Sequence, residues 1–189
     1  MDRLHTLAFT HNKLELDEIG KFHIGDDVLK DRLAFLKKQL NLSELMYLST
    51  CNRVELIFCV DNTVDHDFLT LFFKAFNPAW ENAQVDKAIS MAEIFSAEAA
   101  VDHIFRVASS LDSLVIGERE IITQVRKAYE QCREYDLTGD VIRLLAQHTI
   151  QVAKKVYTES DISKNPVSIV SLCSCPGSLR WVCKSIKPG

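Results

Sequence analysis

Two apolar runs, residues 45–50 and 54–60, stand only three residues apart. Both are too short for a helix. The second, Val54-Glu55-Leu56-Ile57-Phe58-Cys59-Val60, is rich in β-formers, so the pair reads as a hairpin. Upstream, Leu4-His5-Thr6-Leu7-Ala8-Phe9-Thr10 reads as a strand. Leu29, Leu33, Leu36 and Leu40 then recur at steps of three and four behind Asp27 as a cap, which predicts an amphipathic helix over 28–40. Downstream, Phe68, Leu69, Phe72, Phe73 and Phe76 mark a second helix ended by Asn77-Pro78, and 85–91 is a weaker strand candidate. The succession β-α-β-β-α-β predicts an α+β fold with the split βαβ sheet of ferredoxin-like proteins.

From residue 95 the periodicity is helical. Ala97, Val101, Ile104, Phe105 and Ala108 form one stripe, started by Ser96 with Glu98 in the first turn. Ile121, Val125, Ala128, Tyr129 and Cys132 form a second. After a break at Leu137-Thr138-Gly139-Asp140, Val141, Leu145, His148, Val152 and Val156 form a third. Residues 171–189 show no clean period.

Length and charge narrow the function. The 189 residues suit one large domain, or one domain and an appendage, with ample core. No apolar run approaches the ~20 residues of a membrane span, and the start of the chain lacks a secretory core, which predicts a cytoplasmic protein without membrane contact. Cysteines 51, 59, 132, 173, 175 and 183 show no disulfide rhythm, as expected in a reducing compartment. Residues 1–161 carry 18 Lys/Arg against 26 Asp/Glu, whereas 162–189 carry four bases and no acid. An acidic body argues against general nucleic-acid binding, though not against a local basic patch; Arg126, Lys127, Arg133, Arg143, Lys154 and Lys155 are candidates for one.

Ser49-Thr50-Cys51-Asn52-Arg53 joins the two hairpin strands. Asn tolerates the left-handed backbone of a tight turn, so Cys51 is expected at a tip, presented outward. Arg53 lies close enough to favour thiolate over thiol from a resting pKa of ~8.5. An unpaired cysteine is more often a small buried hydrophobe, and spacing alone leaves that reading open. Cys59, inside an apolar strand, reads as core. His103 falls off the stripe of its helix, on a face with Ala99, Arg106 and Ser110, and is expected to face a cleft or solvent. The histidines show no metal-ligand spacing, and Cys173, Cys175 and Cys183 lack the second close pair a zinc site needs, so no metal is expected.

Ser49-Thr50-Cys51-Asn52-Arg53-Val54-Glu55 resembles the signature of the glutamyl-tRNA reductases. So does the stretch from Arg106 to Glu118, continuing through Ile121 and Gln124 to Lys127, and a third stretch from Ala153 through Thr158 to Ser168. The resemblance covers about residues 4–170 and implies a reaction. Cys51 would attack the ester of glutamyl-tRNA(Glu), and the thioester would be reduced by NADPH to glutamate-1-semialdehyde, the first step of tetrapyrrole synthesis from glutamate. A thiolate can attack at neutral pH with little activation, and a thioester accepts hydride better than an ester.

By the same resemblance Cys51 and His103 are catalytic, His103 aiding proton transfer, and Thr50, Asn52 and Arg53 hold the glutamyl group. Ser113, Glu118, Arg119, Glu120 and Gln124 occupy substrate-contacting positions. Departures from the family pattern are Ser110 in place of Gly, and Arg119-Glu120 in place of Pro-Gln, where a carboxylate cannot donate. The resemblance divides the chain into a catalytic domain (1–136), the start of a linker helix (137–170) and a tail outside the family (171–189). Full-length members add an NADPH-binding domain and a helical homodimerisation domain, and the aminomutase that consumes glutamate-1-semialdehyde is a further partner. No Gly-x-Gly-x-x-Gly follows a strand in this sequence. Two rival readings use the same residues: a cysteine hydrolase built on Cys51 and His103, and a non-catalytic module binding RNA on its sheet.

Overall fold

The computed structural model of the protein describes residues 2–112 and 120–159. Its elements are β1 (Leu4–Thr10), α1 (Leu16–Ile19), a 3-10 turn (Gly20–Phe22), α2 (Asp26–Gln39), β2 (Glu44–Thr50), β3 (Arg53–Cys59), α3 (His66–Phe76), α4 (Asn82–Met91), β4 (Glu93–Ser96), α5 (Glu98–Ala108), α6 (Glu120–Glu134) and α7 (Asp140–Glu159). The fold is α+β, as expected. The sheet runs β2-β3-β1-β4 with every neighbouring pair antiparallel. Strand β3 lies between β1 and β2, and β1 between β3 and β4, so each strand–helix–strand connection spans a strand of the other.

Alternation along the strands gives the sheet two unlike faces. Leu7, Phe9, Leu56 and Phe58 point to the face covered by α2 and α3. There Phe9 stacks on Phe22 at 3.6 Å between centroids, and Phe58 packs against Phe68 and Phe72. Asp65 starts α3 by accepting from the Phe68 N–H at 2.9 Å, and its buried side is almost entirely aromatic. The other face presents Thr10, Glu44, Arg53, Glu55, Glu93 and Phe95, and it lies under α5, α6 and α7. Polar residues on a covered face need partners.

Glu44 finds its partners at the start of α7. Oε2 accepts from the Gly139 and Ile142 N–H groups at 2.9 and 2.8 Å, and Oε1 from Val141 at 3.0 Å. The carboxylate thus satisfies donors that the first helical turn leaves open, and it sits at the positive end of the dipole. A β-carbon on residue 139 would stand 2.8 Å from that carboxylate, so the approach needs glycine.

The structure corrects several expectations. Residues 85–91 are helical, within α4, not strand. Val85 and Ala88 recur at helical spacing, and the Gln84 side chain accepts from the Glu81 N–H at 2.9 Å. The fourth strand is the four-residue β4 that follows. Asp27 lies within the first turn of α2, and Gly25 is the N-cap. Ser96 does not cap α5; it ends β4, and its Oγ is 2.9 Å from His5 Nδ1. The buried positions of α5 are Ala100, His103, Ile104, Val107 and Ala108, because the helix meets the sheet on one side and α6 and α7 on the other. In α7 they are Ile142, Leu145, Ala146, Thr149, Ala153 and Tyr157, with His148 exposed.

Ala97 takes the N-cap of α5 at φ 53° and ψ −121°. A β-carbon is strained there by about 1–3 kcal/mol, and glycine is not. Ala97→Gly is therefore expected to raise unfolding stability by about 1 kcal/mol after the entropic cost of glycine. Urea denaturation followed by circular dichroism measures this, and a lower midpoint for the variant would contradict it.

Candidate functional site

The site begins at the β2–β3 turn. Thr50 and Arg53 form the last strand pair, leaving Cys51 and Asn52 as a two-residue loop. Thr50 Oγ1 donates to Asn52 Oδ1 at 2.9 Å, and the Asn52 carbonyl accepts from the His11 N–H at 3.1 Å. The turn is thereby tied to the segment leaving β1. Cys51 stands exposed at this tip, as the turn chemistry predicts. Cys59 and Cys132 are buried, and burial pushes their thiols up to about 12 and about 11, so both stay protonated at neutral pH.

Arg53 turns inward. Its side chain is 1% exposed, and Nη1 meets Glu55 Oε1 at 2.8 Å. Its other terminal nitrogen donates to the Asp112 carbonyl, and Nε has no partner among the described residues. Glu55 is fully buried. His103 Nε2 approaches the same Oε1 at 3.1 Å, and the imidazole stacks on Phe95 with centroids 4.1 Å apart. Burial by itself would raise the Glu55 pKa. His103 and Arg53 outweigh it and hold the carboxyl below its ordinary value. Beside them, burial and the Arg53 charge both lower the pKa of His11, favouring its neutral form.

Arg53, Phe95, His103 and Asp112, together with Thr10, Asn12 and Glu93, wall a cavity of about 200 Å³. Glu93 Oε2 accepts from Thr10 Oγ1 at 3.1 Å, and Lys13 Nζ reaches its other oxygen at 3.5 Å from the surface. Cys51 is not in this wall; it stands two residues before Arg53, which is.

Set against the sequence, the structure brings Arg53 and His103 into one cavity, while Thr50, Cys51 and Asn52 lie on the β2–β3 turn that precedes Arg53. His103 is 6% exposed, not open to solvent, since α5 is covered on more than one side. Glu120 is exposed in the first turn of α6 and Gln124 half-buried one turn later; neither lines the cavity. Ser113, Glu118 and Arg119 lie outside the described residues. Glu55, Glu93 and Thr10 were not legible as site residues. Glu55 carried a signal, being the one acid in the run 54–60; Glu93 carried none once its strand was misplaced.

No group of three metal-ligating side chains occurs among the described residues. Their strands pair only antiparallel, and none of the described glycines (Gly20, Gly25 and Gly139) opens a strand-to-helix turn of a parallel βαβ unit. The described residues therefore offer no cradle for the pyrophosphate of NADPH.

The family model of the glutamyl-tRNAGlu reductase N-terminal domain matches residues 7–160. The glutamyl-tRNA reductase of Carboxydothermus hydrogenoformans is 34% identical over 182 residues, covering 94% of this chain and 40% of that protein. That of Campylobacter hominis is 30% identical, covering 90% and 39%. Among solved structures, the glutamyl-tRNA reductase from Methanopyrus kandleri superposes with a TM-score of 0.70 at 26% identity, over 92% of this chain and 39% of that one. The chain thus spans about two fifths of the length of the relatives it matches, and it belongs to the glutamyl-tRNA reductase family through the N-terminal domain.

Two outcomes follow from the geometry. The folded state binds the Glu55 proton less tightly than the unfolded chain. Glu55 therefore stabilises the fold fully above the ordinary glutamate value of 4.5, and this is lost as pH falls through the lower folded value. Glu55→Gln is expected to cost about 3 kcal/mol at pH 7, as when one member of a buried pair is removed, and to flatten stability below pH 4.5. Denaturation midpoints at a series of pH values test both. Iodoacetamide on the native protein is expected to modify Cys51 and spare Cys59 and Cys132 until denaturant is added; peptide mapping showing equal labelling would refute the burial pattern.

Proposed function

We propose that this chain performs the acyl-transfer half of the glutamyl-tRNA reductase reaction, with Cys51 as nucleophile. The observation that carries the proposal is an exposed thiol on a braced two-residue turn, beside a cavity holding a buried guanidinium with an unpartnered N–H. The Cys51 sulfur attacks the ester carbonyl at the 3′ end of glutamyl-tRNA. A C–S bond forms, the C–O bond to the ribose breaks, and the ribose oxygen leaves with a proton taken from solvent at the exposed tip. The glutamyl group remains as a thioester. Arg53 meets the γ-carboxylate through its charge and the donors that Glu55 and Asp112 leave open, the unpartnered Nε–H among them. Thr50 and Asn52 brace the loop that presents the sulfur.

His103 acts here as a positioning residue, since it is buried against Phe95 and in contact with Glu55. Substrate contacts by Ser113, Glu118, Arg119, Glu120 and Gln124 remain part of the proposal. NADPH would supply the hydride that takes the thioester to glutamate-1-semialdehyde, and no described residue is assigned to that step. Domain limits at 136 and 170, the homodimer and the aminomutase partner belong to the same family reading.

RNA binding on the sheet is disfavoured. Helices cover both faces among the described residues, so bases find no open strand surface on which to stack. A cysteine hydrolase is separated by experiment. The protein is incubated with tRNA carrying labelled glutamate, and quenched samples are mapped by mass spectrometry. A hydroxylamine-labile glutamyl adduct on the Cys51 peptide, absent from Cys51→Ser, is expected. Turnover of simple esters without adduct on glutamyl-tRNA would favour the hydrolase instead.

A further inference from the structure

Residues 53 and 55 are two apart on β3, so their side chains leave the same face of the sheet. The Arg53 guanidinium is gripped from both sides, by Glu55 Oε1 at 2.8 Å and by the Asp112 carbonyl. A planar guanidinium held at both terminal nitrogens cannot rotate about its stem. Of its remaining donors, the Nε–H has no partner among the described residues, and the side chain is 1% exposed. A buried donor without a partner carries a desolvation cost that a correctly placed anion would relieve.

Glu55 also reaches the other side of the cavity. The oxygen that meets Arg53 lies 3.1 Å from His103 Nε2, so one atom joins the strand below to the helix above. A glutamine at this position can keep an oxygen where both partners meet, with its N–H₂ in the place of the unpartnered Oε2, but it removes the negative charge that faces the guanidinium. The hold on Nη1 is then weaker, and the guanidinium is fixed firmly only at the Asp112 carbonyl. The Glu55 side chain lies outside the cavity wall, so it has no direct route to a ligand.

We infer that Glu55 is a positioning residue for acyl-group selection: it sets the Arg53 guanidinium so that the cavity accepts a γ-carboxylate and rejects the neutral γ-amide. The inference rests on the acyl-transfer reading above. It asks more than a structural role would. A residue that merely holds the fold together slows every substrate alike when replaced, whereas one that aims a recognition group changes the ratio between substrates.

The test compares the rate of Cys51 acylation by glutamyl-tRNA and by glutaminyl-tRNA, identical except for the γ group, on the unmodified protein, Glu55→Gln and Glu55→Asp. Circular dichroism and Cys51 alkylation, at a temperature well below each midpoint, establish that the compared samples are folded. The unmodified protein is expected to prefer the glutamyl ester. Glu55→Gln should shrink that preference about 10- to 100-fold, the value of a charge-assisted hydrogen bond. Glu55→Asp keeps the charge on a shorter stem and should fall between. A folded Glu55→Gln protein that loses rate on both substrates by the same factor, or retains the full preference, overturns the inference. Failure of the unmodified protein to form any adduct overturns the acyl-transfer reading itself, and this inference with it.

Discussion

One carboxylate oxygen, Oε1 of Glu55, holds the candidate site together. It lies within 2.8 Å of a guanidinium nitrogen and 3.1 Å of an imidazole nitrogen, in a residue with no exposed surface. An isolated charge in such a place is intolerable, and its partners carry the same burden in reverse. Any of the three groups is therefore stable inside only while the others are present. That mutual requirement fixes the height of α5 above the sheet, turns Arg53 inward from the end of its strand, and sets the position of the cavity wall.

A second buried acid does comparable work at the far end of the same face. Glu44 receives three backbone N–H groups of α7, on the strand whose other end carries Thr50 and leads into Cys51. Strands β2 and β3 are thus fastened to the helices above them by polar contacts. The opposite face is fastened by aromatic packing, where Phe9, Phe22 and Phe73 meet one another. Tyr47 adds a pin there. Its hydroxyl donates to the Phe22 carbonyl and accepts from the Ile24 N–H, holding the segment before α2 against β2. Both faces of the sheet build core, and the buried charged groups lie on the one under α5, α6 and α7.

That division decides what the sequence could reveal. The hairpin and helices α2, α3 and α6 were legible because a single buried stripe or a short β-rich run fixes each. Helix α5 is present as expected, but its buried positions differ from the single stripe because it is covered on more than one side, and of the two settings expected for His103, cleft or solvent, the structure shows the cavity wall. Residues 85–91 read as a strand because their four apolar residues, Val85, Ala88, Ile89 and Met91, suit a short strand as readily as a helix. Glu55 was visible as an acid in an apolar run, but its partner His103 comes from 48 residues away on another element, which no local pattern reports. Ser110 has a φ of 57°, the left-handed backbone that glycine adopts freely.

The separation of Cys51 from Arg53 suits the acyl-transfer reading better than a single pocket would. A cavity of about 200 Å³ is smaller than the ~300 Å³ at which pockets for drug-sized ligands begin, a size that suits an amino-acid side chain better than a nucleotide. On that reading the acyl group would be recognised where water is scarce, and an Arg–carboxylate contact is stronger there than at the surface. The ester bond, carried on the bulky partner, would stay at the exposed turn that holds Cys51. Burying the thiol as well would raise its pKa, as burial does at Cys59 and Cys132, and would leave it protonated. A buried guanidinium and an exposed thiol two residues apart satisfy both demands, and the tight turn between β2 and β3 is what permits them to lie so close in the chain.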